Sequence, residues 1–225
     1  MSEVAGREAV EKIVRKVLDS GAGGRGGAGS STAALRKVVT IGVSSRHLHL
    51  QPDHVATLFG RGHKLTKMRD LLQPDQFACK ETVTLIGPKG KLSDVRVLGP
   101  ERKQTQIESS MTDLYHLGVM APLRLSGNLA GSAPMKIRGP RGFVEITEGL
   151  IIAHRHLHIG AEEAARYGVK TGDRVRVWTM GTRPVVFEDV IVRAGNDHTL
   201  EFHLDTDESN AAGVKNGDLA EIIGG

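Results

Sequence analysis

Two short stretches of this chain carry residue types suited to metal chemistry. Ser45-Arg46-His47-Leu48-His49-Leu50 returns as His154-Arg155-His156-Leu157-His158-Ile159. Each copy sets two histidines two residues apart. In a strand, residues i and i+2 point to one face, about 6.5–7 Å apart. Two neutral imidazoles on such a rung can lean onto one metal ion at about 2 Å each. In a helix the same residues would point nearly opposite ways, so the spacing requires a strand. The apolar runs that lead into the two copies, 37–43 and 150–153, have strand composition. A single His-x-His is more often a polar rung than a ligand pair. Two copies in one Arg-His-Leu-His-aliphatic frame favour the metal.

A shorter repeat adds a third ligand. Tyr167-Gly-Val-Lys-Thr-Gly-Asp173 is matched by Ala212-Gly-Val-Lys-Asn-Gly-Asp218. A short helix is expected before each copy and a strand after it. His158 stands fifteen residues before Asp173, and His203 stands fifteen before Asp218. His203 therefore occupies the repeat position of His158. His54, His63, His116, His154 and His198 lack such support and read as solvated loop or cap residues.

A tetrahedral catalytic zinc takes three protein ligands and keeps one open position. His156, His158 and His203 form one complete set. His47 and His49 need a third ligand, and Glu108 is the first choice. If 101–108 is extended, Arg102, Gln104, Gln106 and Glu108 share one face, and polar residues gathered there suggest the border of a site. Two zinc ions bring more charge than one carboxylate cancels. The surplus favours an anion such as phosphate or a leaving thiolate, and Arg102 is placed to grip it through two parallel hydrogen bonds.

The elements that position these residues follow from composition. The chain has 225 residues, 39% of them hydrophobic, only 4% aromatic, with 28 glycines. That profile predicts a mainly β protein of many short strands and tight turns, in one or two domains. One cysteine, Cys79, excludes an internal disulfide, and it reads as a small buried hydrophobe. No apolar run is long enough to span a membrane, and no secretory signal opens the chain, so a cytoplasmic protein is expected. The net charge of +4 suits a phosphate-bearing substrate or nucleic acid. With no basic helix and no aromatic platform, a nucleic-acid-binding module is the weaker reading, and no nucleic-acid partner is expected.

Along the chain, residues 1–20 carry an amphipathic helix pattern with an apolar stripe of Val10, Ile13, Val14, Val17 and Leu18. A glycine-rich tether follows to Ser30. Such a helix is marginal alone, and its stripe is expected to dock on another protein. A short helix opens at Gln51-Pro52-Asp53. Strand pattern begins at Thr82 and forms a hairpin around Gly87-Pro88-Lys89-Gly90. A helical turn is expected over 113–118. The Gly- and Arg-containing stretches at 121–127 and 137–143 can hold phosphate. Composition alone suggests one domain cut near 150.

These motifs resemble the PduL-type phosphotransacylases (phosphate propanoyltransferases) of bacterial microcompartments. The matching stretches are Val43-Ser-Ser-Arg-His-Leu-His49, Gly99-Pro-Glu-Arg-Lys-Gln-Thr-Gln-Ile-Glu108, Ala121-Pro-Leu-Arg-Leu-Ser-Gly127 and Ala153-His-Arg-His-Leu-His158. The resemblance covers most of 37–223. It implies two closed β-barrels capped by short helices, with the active site between them, and an interleaved chain. One barrel would take 35–46 and 154–225, the other 47–153, with 1–34 as helix and linker. It implies two Zn2+ ions per chain, one on His47, His49 and Glu108, the other on His156, His158 and His203. Arg102 falls on the arginine that holds phosphate. Ser44, Arg69, Arg96 and Asn210 would face coenzyme A.

The implied partners are acyl-CoA, phosphate, a second copy in a dimer, and microcompartment shell or core proteins reached through the N-terminal helix. The implied location is the lumen of a microcompartment in a bacterial cytoplasm. The reaction expected is reversible transfer of an acyl group, propanoyl by resemblance, between coenzyme A and phosphate. A dinuclear zinc hydrolase using water in place of phosphate is the alternative.

Overall fold

The computed structural model describes residues 36–224. The helix and tether expected over 1–34 lie outside the described residues. Fourteen short strands and four helices of seven or eight residues make up the described chain. Alternation of apolar and polar residues at period two drives the strands, and the apolar members fill two separate cores.

The first core lies inside a closed six-stranded barrel, in the order β1 (Val38–Ser44), β13 (Glu201–Asp205), β10 (His156–Gly160), β12 (Val186–Gly195), β11 (Arg174–Thr179) and β14 (Leu219–Gly224). The second lies inside a ring of β4 (Phe77–Ile86), β5 (Lys91–Gly99), β2 (His47–His49), β6 (Gln106–Glu108), β9 (Phe143–Ala153) and β8 (Ala133–Arg138). Here β8 closes the ring by pairing with both β4 and β9. β3 (Lys67–Asp70) and β7 (Leu123–Arg124) extend it at β4 and β9. The mainly β fold with two closed barrels is thus the one expected.

The two rings have the same wiring. β2 runs parallel to β5 and antiparallel to β6, and β6 runs parallel to β9. Likewise β10 runs parallel to β12 and antiparallel to β13, and β13 runs parallel to β1. So β1 fills in one ring the place that β9 fills in the other. Each of these strands runs straight on into the His-x-His strand of the opposite barrel, β1 into β2 and β9 into β10. A single cut near residue 150 does not describe this pairing, because β1 is hydrogen-bonded to β13 and β14.

A short helix follows each strand at the barrel junction. α1 (Pro52–Phe59) follows β2, and its Pro52 at the first turn is set for helix entry. α2 (Met111–Leu117) follows β6, α3 (Ala161–Tyr167) follows β10, and α4 (Thr206–Ala212) follows β13. α2 and α4 both open with a capping box, Ser110 with Asp113 and Asp205 with Glu208. Both close on a left-handed glycine, Gly118 at φ 75° and Gly213 at φ 62°.

Two expectations need correction. β4 starts at Phe77, not Thr82, and a register shift between Ala78 and Thr82, with Ala78 and Cys79 both buried, hides the alternation. In 101–108 only Gln106–Glu108 is strand. The Arg102 N–H bonds to the Leu50 carbonyl at 2.9 Å, off the ladder, and Gln104 is exposed, so the four polar residues do not form one extended face. Cys79 is fully buried in the second core, as expected.

Phe202 is completely buried and packs at 5.9 Å from the Phe187 ring. Phe202→Ala should lower unfolding free energy by about 3–5 kcal/mol, read from urea denaturation.

Candidate active site

On every strand at the junction, the core-facing and site-facing residues alternate. Leu48, Ile107, Leu157 and Phe202 point into the cores. Their neighbours His47, His49, Gln106, Glu108, His156, His158, Glu201 and His203 therefore face outward. Outward residues of a free barrel would be solvated. Here His49 keeps only 2% of its surface exposed, Glu108 8%, and His156 and His158 6% each. They are buried because the two barrels cover each other's outer face. Bonds between the halves hold this arrangement. Gln73 donates to the Thr199 carbonyl at 3.1 Å, and the Thr112 N–H donates to Asp207 at 2.8 Å.

The two His-x-His rungs share local geometry. His47 Nδ1 bonds the Ser45 carbonyl and His156 Nδ1 bonds the His154 carbonyl, each at 2.8 Å and each two residues back. A carbonyl only accepts, so Nδ1 carries the proton and Nε2 offers its lone pair. The second histidine of each rung, His49 and His158, has a buried Nδ1 with no partner among the described residues. Burial pushes the His49 imidazole down to about 3, helped by the nearby His47 and Arg102. Burial, then His203 and His156, push His158 down to about 2. His156 is lowered too, by burial first and then by His203. These rings are neutral at pH 7, the form that binds a metal.

The ladder supplies the third member of each set. Glu108 pairs directly with His47, and His203 with His156. Among the described residues, His156, His158 and His203 bring their ligand atoms within 4.8 Å of one another. His156 Nε2 and His158 Nε2 are 3.1 Å apart. Two ligands at about 2.0–2.1 Å on a tetrahedral ion would stand about 3.3 Å apart, so these residues fit a zinc-sized ion. The other set is looser, with His47 Nε2 and Glu108 Oε2 at 3.6 Å and the two rings 5.5 Å apart edge-on. Burial works to raise the Glu108 carboxyl, but His47, His49 and His156 together hold it below its usual range. Glu108 and Ser109 line a cleft with Ser44, His156 and His203, so parts of both sets meet in one space.

The arginine of each motif is also used alike. Arg46 forks onto Asp113 at 2.7 and 3.0 Å, and Arg155 meets Glu208 at 2.9 Å. Asp113 and Glu208 are the capping-box acids of α2 and α4. Each Arg-His-Leu-His thus clamps the helix that follows its partner strand.

The remaining sequence candidates scatter. Arg102 is half-buried and makes one long bond, 3.4 Å, to Ser126. Ser44 Oγ lies 3.5 Å from His203 Nδ1. Arg96 pairs in register with His47, but its guanidinium donates to the Cys79 and Lys80 carbonyls. Arg69 and Asn210 are exposed. Of the five histidines read as solvated, only His116 is exposed. His154 bonds Asp189 at 3.2 Å, and the His198 ring stands edge-on to His158 at 4.5 Å.

Sequence reasoning missed Arg193. It is the ladder partner of His158, its guanidinium has no hydrogen-bond or ion-pair partner among the described residues, and it is half-buried. Burial weakens the protonation of Arg102 and Arg193, Glu108 opposes this in both, and the Arg193 charge adds to the strain on Arg102. The only signal in the sequence was strand alternation, since Val190 and Val192 face the core and Arg193 does not.

Fold and cleft define a two-barrel protein with a histidine-rich site and two weakly paired arginines at the junction of its halves. The family model described as phosphate propanoyltransferase matches residues 40–215. A phosphate propanoyltransferase of Thermotoga maritima is 50% identical over 186 residues, 82% of this chain and 89% of the relative. That of Lachnoclostridium phytofermentans is 49% identical over 186 residues, 82% and 87% of the two chains. That of Rhodopseudomonas palustris is 43% identical over 223 residues, 96% and 97%. The chain belongs to the phosphate propanoyltransferase family.

The lowered imidazoles give a test. Unfolded histidines titrate near 6.5, whereas folded His49 and His158 take up protons only near 3 and 2. The unfolded chain therefore binds more protons below about 6.5, and metal-free protein should lose stability as pH falls from there, levelling off near pH 2. Urea midpoints between pH 7 and 4 should fall more steeply for the wild type than for His158→Gln.

Proposed function

We propose that this chain catalyses reversible acyl transfer, propanoyl-CoA plus orthophosphate giving propanoyl phosphate plus coenzyme A. The observation that carries the reading is the meeting of neutral histidine rungs with two poorly paired arginines in one buried junction. The names of its relatives support the substrates.

In this reading His156, His158 and His203 hold one zinc ion, and His47, His49 and Glu108 hold a second. Bound there, zinc would supply Lewis acidity to the thioester carbonyl and to the departing thiolate. Arg102 and Arg193 bind the phosphate dianion and turn one oxygen toward the carbonyl carbon, a proximity effect. A C–O bond forms as the C–S bond breaks, and the sulfur leaves as thiolate. No protein nucleophile is required. Cys79 is unsuited to that role, being fully buried with its thiol pushed up to about 11, first by burial and then by Glu81.

Ser44 at the cleft meets the thioester end of coenzyme A. Arg69 and Asn210 are free to meet its polar groups, and Arg96 contributes what its two carbonyl bonds leave over. The apolar stripe and glycine-rich tether of 1–30 support delivery of a homodimer into a microcompartment through shell or core proteins. The alignment with the R. palustris relative takes in 96% of the chain and so reaches into this segment. No helix among the described residues is long and apolar enough to cross a membrane.

Thiol release from propanoyl-CoA should require phosphate. Release without phosphate would make the chain a thioester hydrolase and overturn the proposal. Arg102→Ala should cut phosphate-dependent kcat about 10²–10³-fold while metal content is unchanged. Arg193→Ala should raise the KM for phosphate about 10–100-fold, the worth of a hydrogen bond to a charged group.

A further inference from the structure

Each antiparallel pair at the junction makes a square of four outward side chains. In β2 and β6 the rungs are His47 with Glu108 and His49 with Gln106. In β10 and β13 they are His156 with His203 and His158 with Glu201. Three corners of each square are candidate metal ligands. The fourth corners, Gln106 and Glu201, have no role so far.

Both fourth corners bond the third ligand of their own square. Gln106 Nε2 donates to Glu108 Oε1 at 2.6 Å. His203 Nε2 donates to Glu201 Oε2 at 2.7 Å. The chemistry is matched in opposite senses: a carboxylate ligand is met by an N–H donor, and an imidazole N–H is met by a carboxylate. Neither corner is free to turn. The Gly127 N–H donates to Gln106 Oε1 at 2.8 Å, which leaves the amide NH2 for Glu108 and for Ser126, also at 2.8 Å. Gln73 reaches across from the other barrel and donates to Glu201 Oε2 at 3.0 Å. On the neighbouring strand β1, Gly42 is in register with His203, and a Cβ there would fall 2.5 Å from Glu201 Oε1. A side chain is missing where the carboxylate needs room.

We propose that Gln106 and Glu201 are positioning residues, which orient Glu108 and His203 for binding divalent metal. The proposal rests on the metal reading above. With its Nε2–H donated to Glu201, His203 presents the Nδ1 lone pair and its ring is held in orientation. Gln106 does the converse, engaging one oxygen of Glu108 and leaving the other open toward His47.

The test uses the full zinc-loaded chain, with metal content by mass spectrometry and retention against a competing chelator. Wild type should hold two zinc ions. Glu201→Ala should weaken one of them about 10–100-fold and leave the other unchanged. Glu201→Gln keeps an oxygen that accepts from His203 and should stay within about tenfold of wild type. Gln106→Leu should weaken the other ion and spare the first. Thermal unfolding of the metal-free variants should match wild type, so that lost metal is not lost fold. Undiminished retention in Glu201→Ala would overturn the proposal while leaving the metal reading intact. So would a Glu201→Gln as weak as Glu201→Ala, because the carboxylate would then be a ligand itself. A wild type that takes up no metal would remove the metal reading and this proposal together.

Discussion

Each barrel is closed by a strand that then crosses to the other barrel, and the rest of the structure depends on that exchange. β1 completes the ring of β10–β14 and becomes β2, and β9 completes the other ring and becomes β10. The crossing strands carry the His-x-His rungs. Because the chain passes between barrels at these points, the outer faces of β2 and β10 are brought together and covered. Closed barrels leave no free edge to hold a site, so the chemistry sits on outer faces, buried by docking.

Burial sets the electrostatics. Water is excluded from the imidazoles, so they stay neutral and available as ligands at pH 7. The same burial makes two weakly partnered guanidinium groups costly unless an anion joins them. A site with neutral nitrogen donors, one ionised carboxylate and surplus arginine charge is chemically suited to a cation and an anion side by side. In the proposed reading phosphate is the anion and divalent metal the cation. The paired capping acids Asp113 and Glu208, each held by a motif arginine, keep two of the short helices fixed on this arrangement.

Much of this was legible in residue spacing. A two-residue histidine period can serve one ion only from a strand, and both copies are strands. The fifteen-residue offset brought out His203, which the ladder sets beside His156. The interleaving was not legible from composition, since which ring a strand joins is decided by long-range pairing; it came from the resemblance. Arg193 was missed because strand alternation alone does not separate it from a surface arginine. His198 was misread because its contact with His158 depends on packing. The extended reading of 101–108 failed because one bond from Arg102 to Leu50 takes the chain off the ladder.

Zinc-edge anomalous diffraction from crystals of the full chain would test the central claim most directly. The account predicts two peaks at the junction, one against His156, His158 and His203 and one against His47, His49 and Glu108, both open to the same cleft. Peaks elsewhere, or none at these rungs in protein that turns over propanoyl-CoA, would contradict it.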